Sequence, residues 1–181
     1  AIDVAGGHKD KQKTKVYDSS TVNSIFSSGK VIETIGMAIL VDKGLVELDA
    51  PIANYWPEFR QKGKGDITVK DLLSHRSGSS TLFEVEPSAQ VLKTPEKRDE
   101  FLASQKFAYP RGTVGYRAWG SAFYSDAICR RVDPQKRTLS KLVQDEIFDP
   151  LGEVFFCPPV PEEAKASIFS EVHDIPYATM L

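Results

Sequence analysis

Residues 25–44 read IFSSGKVIETIGMAILVDKG, which sets Ser27 three residues before Lys30 at the mouth of an apolar run ending at Gly44. Val31, Ile32, Ile35, Met37, Ala38, Ile39, Leu40 and Val41 would cover most of a helix's circumference. The pattern predicts a central, buried helix over 28–43 with Gly44 as its stop. A reactive group at its N-terminus would be held on a rigid element. Two readings of Ser27 are open: a serine at a helix entry, or a nucleophile with its base one turn away. Residues i and i+3 share a helix face, so Lys30 can reach the Ser27 hydroxyl. Apolar surroundings and the positive end of the helix dipole disfavour a charged amine, which suits a base, and the same N-terminus offers N–H groups to an oxyanion. The pair alone does not decide. Among sixteen serines, about one S-x-x-K is expected by chance, and one is found.

Upstream, AIDVAGG alternates apolar residues before two glycines, and 14–17 can form a second strand pairing with it, so strands are expected within 1–17. Downstream, GLVELDAPIANYWPEF reads as a turn and a short helix punctuated by Pro51 and Pro57. DITVKDLLSHRSG predicts a helix with Thr68 as N-cap, Asp71 at its third position and Gly78 beyond its stop. Further helices fit 95–105, 118–132 and 138–148, the last closed by DPLG. The region 44–152 is therefore helical, and 153–181 is a proline-rich tail. No internal repeat or low-complexity tract is seen.

The 181 residues, 41% hydrophobic with a net charge of −2, suit one globular domain and argue against a nucleic-acid surface, which needs clustered Lys and Arg. The basic stretch HKDKQKTK is interrupted by Asp10 and lacks aromatics, so it reads as a solvated hairpin or loop. No apolar run is long enough to span a bilayer, and no basic-then-apolar signal segment is seen at the start, which leaves the compartment open. Cys129 and Cys157 read as reduced, buried thiols, not as a disulfide framework or zinc site. His8 and His173 have no paired ligands for a metal. Trp56 and Trp119 read as core or cleft residues.

Taken in order, FSSGK with its helix, DKGLVELDAPIANYWPEF, ITVKDLLSHRSG, PRGTVGY and DPLG resemble the serine beta-lactamase-like family. That family covers class C beta-lactamases, penicillin-binding proteins, related carboxylesterases and lactamase-domain proteins. The resemblance runs from Ala1 to about Gly152. It implies an α+β, beta-lactamase/transpeptidase-like fold, of which this chain is mostly the helical subdomain with one or two edge strands. It also implies that Ser27 is the nucleophile and Lys30 its partner, with no metal or organic cofactor, acting on a small ester, amide or peptide.

The family's second catalytic element is a tyrosine. YSD at Tyr124 falls inside a predicted helix; YRA at Tyr116 follows PRGTVG at the expected distance, which makes Tyr116 the choice, sharing proton transfer with Lys30. Three residues depart from the pattern: Arg111 interrupts the usual P-G pair, Arg117 stands where the esterase-like branch often has histidine, and Ala118 replaces the asparagine of Y-x-N. Arg117 is expected either to lower the tyrosine's pKa or to point outward. Ala118 leans the reading toward an esterase-like or peptidase-like substrate. The third motif, K-T-G or H-x-G, is not found after Gly152, so the chain reads as a piece of a longer domain. A non-catalytic relative with a binding or scaffolding role is the alternative. His75, at the end of its helix, reads as structural.

Overall fold

The computed structural model describes residues 2, 4–23, 25–79, 88, 91, 93–117 and 120–152. Ala1, Ala118, Trp119 and the tail 153–181, with Cys157 and His173, lie outside the described residues. The chain divides into two compact units, one of residues 27–154 and one of residues 1–26 with 155–181.

In the second of these, the described residues form a loop rather than the expected pair of strands. A single antiparallel bridge joins His8 to Val16, with Lys9 N donating to Lys15 O at 2.8 Å and Tyr17 N to Gly7 O at 2.9 Å. No residue here is in a strand among those described. Two short segments without a third partner are marginal as a sheet. The turn is organised by Asp10, whose carboxylate accepts the backbone N–H groups of Thr14 at 2.9 Å and Lys15 at 3.0 Å. The Thr14 hydroxyl and these N–H groups hold the Asp10 carboxyl below its ordinary range. The acid that interrupts the basic run is thus the residue that folds it into a solvated loop.

The larger unit is helical. A 3₁₀ turn at Phe26–Gly29 leads into α1, Lys30–Asp42, so the regular helix starts later than expected. Its C-terminus closes on Gly44, at φ +67°, with Leu45 N returning to Leu40 O at 2.9 Å. Glycine reaches this left-handed conformation without a Cβ penalty. The buried positions of α1 are Glu33, Gly36, Met37 and Leu40, a single stripe at i, i+3, i+4, i+7, while Val31 is 61% exposed. The expectation of a helix buried all round is therefore corrected: among the described residues α1 packs along one face.

The segment after Gly44 forms two 3₁₀ turns, Ile52–Asn54 and Pro57–Gly63. An isolated bridge between Pro51 and Thr68 ties it to the next element. That element, α2 at Val69–Leu73, opens with a capping box in which the Thr68 side chain accepts Asp71 N–H and Asp71 accepts Thr68 N–H. Then come α3 (Pro95–Ser104), α4 (Ser121–Val132), α5 (Leu139–Val143), a π-helical turn at Gln144–Phe148 and α6 (Asp149–Leu151). Gly120, at φ +83°, delays the start of α4 to Ser121. α1 packs on α5 and α4, and α3 packs on α4 and on the 57–63 turn.

The core is aromatic at its centre: Phe59 lies 5.5 Å from Trp56 and 5.9 Å from Tyr124, ring centre to ring centre. Trp56 is fully buried there. Charges stitch the helices around it. Arg130 and Arg131 of α4 hold Asp99 of α3 at 2.7 and 2.6 Å, and Arg98 reaches Asp126 at 2.8 Å. Lys64 is buried and donates to the carbonyls of Gln61, Ala103 and Gln105, which caps the end of α3. Cys129 is a free, buried thiol whose pKa burial pushes up to about 12. No helix among the described residues is long and apolar enough to cross a membrane.

Candidate active site

Ser27 sits in the 3₁₀ turn that enters α1, and Lys30 is the first residue of the regular helix. The turn brings their side chains together, and Lys30 Nζ donates to Ser27 Oγ at 3.3 Å. Just before the serine, Phe26 holds a positive φ of +44°, a conformation that a bulky residue adopts only under constraint.

Tyr116 arrives from far along the chain. Residues 75–79, the HRSGS that follows α2, lie against residues 109–117 and are joined to them by backbone bonds. Tyr109 N donates to Gly78 O at 3.0 Å, Gly112 N to Arg76 O at 2.8 Å and Gly115 N to His75 O at 2.9 Å. The two strips approach so closely that a Cβ on Gly78 would stand 2.1 Å from Tyr109 O, and one on Gly115 would stand 2.8 Å from Ser79 O. Glycine at these two positions is what permits the pairing. The motifs LLSHRSG and PRGTVGY are therefore two halves of one structural unit.

That unit delivers the Tyr116 hydroxyl to Ser27 Oγ, to which it donates at 2.7 Å, and Lys30 Nζ lies 5.0 Å from the centre of the tyrosine ring. Ser27, Lys30 and Tyr116, the three residues singled out in the sequence, thus converge on one oxygen. Hydrogen bonding with Ser27, then with Lys30, and the lysine's charge hold the Tyr116 phenol below its ordinary pKa of 10.0, against a smaller opposing effect of burial. Tyr124, the other candidate, is fully buried on α4 among core aromatics, and burial pushes its phenol up to about 12.

The departures from the family pattern find places in the structure. Arg117 neither points outward nor figures among the groups that lower the Tyr116 pKa. It turns inward and is buried, with its guanidinium 5.5 Å from Phe107 and 5.1 Å from Tyr124 and its Nε donating to Ser79 Oγ at 3.0 Å. Alternation along an extended strip explains this: if Tyr116 faces Ser27, its neighbour faces the core. Arg111 reaches back to Asp71 at 2.5 Å and so ties the loop to the capping box of α2. Ala118 is outside the described residues.

Two further residues lie near the site: Glu33, which was not singled out from the sequence, and His75, which was read there as structural. Glu33, one turn beyond Lys30, is buried and accepts from Ser121 Oγ at 2.9 Å and Ser125 Oγ at 2.6 Å on α4. A lone acid inside the apolar run KVIETIGMAIL, with serines four apart in SAFYS, was the available signal. His75 lies beyond the end of α2 at φ +58°, and its ring packs edge-on against Tyr116 with centres 4.9 Å apart.

The family model for beta-lactamase matches residues 1–168. The chain belongs to the beta-lactamase family. Within it, the esterase/beta-lactamase LipL of Mycobacterium tuberculosis is 28% identical over 150 residues, which cover 83% of this chain and 34% of LipL. A penicillin-binding protein homologue from Caulobacter crescentus superposes with a TM-score of 0.79 at 26% identity, covering 93% of this chain and 44% of that one. A family VIII carboxylesterase superposes at 0.72 and 28% identity, covering 81% of this chain and 40% of that one. The beta-lactamase/transpeptidase-like fold is thus shared, and the chain spans about a third to under half the length of these relatives.

Proposed function

We propose that the protein is a serine hydrolase that cleaves a small ester or amide through an acyl-enzyme on Ser27. The observation that carries the reading is the convergence of Tyr116 OH at 2.7 Å and Lys30 Nζ at 3.3 Å on Ser27 Oγ. A nucleophile and its base within hydrogen-bonding reach, with a third group beside them, is the arrangement that activates a weak alcohol. Family VIII carboxylesterase and esterase relatives support an ester as the substrate class.

In this reading the lowered phenol pKa supplies the proton acceptor. Once the Tyr116 phenol has lost its proton to solvent, the 2.7 Å contact reverses direction and the phenolate accepts the proton of Ser27 Oγ–H. The Oγ forms a bond to the carbonyl carbon, whose π electrons move to its oxygen. Collapse of that intermediate breaks the bond to the leaving group, which takes the proton back from Tyr116, with Lys30 balancing charge beside it. Water then repeats the sequence on the acyl-serine and releases the acid.

The test is intact-mass labelling of the full chain and its Ser27→Ala variant with a fluorophosphonate and with a reactive penicillin. A single adduct that disappears in the variant supports the reading. A folded protein that takes no adduct from either reagent overturns it.

A further inference from the structure

We infer that His75 is a positioning residue that holds the Tyr116 phenol on Ser27, gripping the tyrosine's strip from both sides of that residue. The inference rests on the reading of Tyr116 as the proton partner of Ser27.

The grip has three parts, all from one residue. On the N-terminal side of Tyr116, the His75 carbonyl accepts Gly115 N–H at 2.9 Å. On the C-terminal side, His75 Nδ1 accepts Arg117 N–H at 3.4 Å. Between them, the imidazole edge meets the tyrosine ring with centres 4.9 Å apart, a favoured T-shaped contact. A residue that bonds positions i−1 and i+1 and packs on the side chain of i restricts both the backbone and the ring of i. Tyr116 needs such a restraint, since it is 47% exposed and its hydroxyl has to meet a serine 89 positions away.

The His75 backbone is bent to φ +58°, and its carbonyl and its ring both meet the same strip. Histidine is among the residues that enter this region more readily than most, at an energetic cost that the three contacts offset. The role also fixes a protonation state. Nδ1 accepts only in the neutral ring with its proton on Nε2. The surroundings favour that form: burial, then the charge of Lys30 on α1 and that of Arg117, lower the His75 pKa, with Glu33 on α1 opposing. The tyrosine faces it as a neutral phenol or, once ionised, as an anion held against Lys30. His75 touches no reacting atom and acts through Tyr116, which distinguishes it from a general base.

The experiment compares His75→Gly with His75→Asn in the full chain. Both residues adopt a positive φ readily, so backbone strain is matched. Only asparagine returns an acceptor near the Nδ1 position. The primary readout is the Tyr116 phenol titration, taken as the phenolate absorbance lost in Tyr116→Phe. His75→Gly is expected to return that titration toward the ordinary pKa of 10.0 and to slow fluorophosphonate labelling about a hundredfold. His75→Asn is expected to recover most of both. A folded His75→Gly whose phenol titrates as in the wild type overturns the inference, as does a folded His75→Asn that recovers nothing. Should His75→Gly not fold, the wild type itself decides: the Arg117 amide resonance moves as the His75 ring is protonated if the grip exists and stays fixed if it does not. Absence of labelling at Ser27 in the wild type would count against the hydrolase reading alone, because the phenol titration requires no turnover.

Discussion

Tyr116 is the residue on which the proposed chemistry turns, because it alone of the three candidate site residues comes from a distant part of the chain. Replacing it with phenylalanine removes the hydroxyl at 2.7 Å from Ser27 and leaves the ring's packing on His75. Acylation by an activated ester should fall about 10²- to 10⁴-fold with little change in melting temperature, as measured by stopped-flow labelling and by calorimetry. The pH dependence has a defined sign. The phenol's pKa is lowered by its bonds to Ser27 and Lys30 and by the lysine's charge, so the phenolate forms at lower pH than in a free tyrosine. Lys30→Ala removes two of those influences and should move the Tyr116 phenolate absorbance to higher pH. An unmoved titration would mean that Lys30 and Tyr116 are not coupled.

At the scale of elements, the pairing of residues 75–79 with 109–117 and the seam between α1 and α4 hold the site. Gly78→Ala sets a Cβ 2.1 Å from Tyr109 O at a φ of +81°, so the strips must part. A loss of at least about 2 kcal/mol in urea unfolding is expected, with loss of labelling at Ser27. The α1–α4 seam contains one buried carboxyl: Ser121→Ala with Ser125→Ala removes both serine hydroxyls that donate to Glu33. Leaving the buried carboxyl without these donors should cost about 1–3 kcal/mol, and adding Glu33→Leu should recover part of it. The same elements show what the sequence could and could not disclose. The Thr68–Asp71 capping box and the Gly44 stop are local events, decided by side chains a few positions apart, and both were legible. The closeness of Ser27 and Lys30, three positions apart, was legible for the same reason, whereas their roles came only from the family resemblance. The inward turn of Arg117, the burial of Glu33 and the role of His75 depend on which strip lies against which. Helical periodicity also overstated the burial of α1, since it counts apolar residues without knowing how many neighbours they meet.

At the scale of the whole helical unit, several buried charges are joined to carbonyls or to one another around an aromatic core. Lys64 is fully buried, held against Phe59 and Phe107 with three carbonyl acceptors. Burial, with the charge of Lys62, pushes its pKa down from 10.5 to about 8. Between those two values the unfolded chain binds a proton that the folded one does not, so this residue's contribution to stability rises with pH across that window and is lost as pH falls through about 8. Urea unfolding at pH values spanning that window should show a rise in the wild type that is absent in Lys64→Met. An equal slope in both proteins would assign the effect elsewhere.

The Tyr116–Ser27 bond spans 89 positions of the chain, whereas the Ser27–Lys30 contact spans three. Contacts so distant in sequence are slow to form, because the intervening chain must first be organised before the ends can meet. During refolding, helical signal should therefore return before the serine becomes reactive. A reagent that titrates Ser27 would act as a clock on the final stage of folding, reading the moment at which the two halves of the proposed active centre find each other.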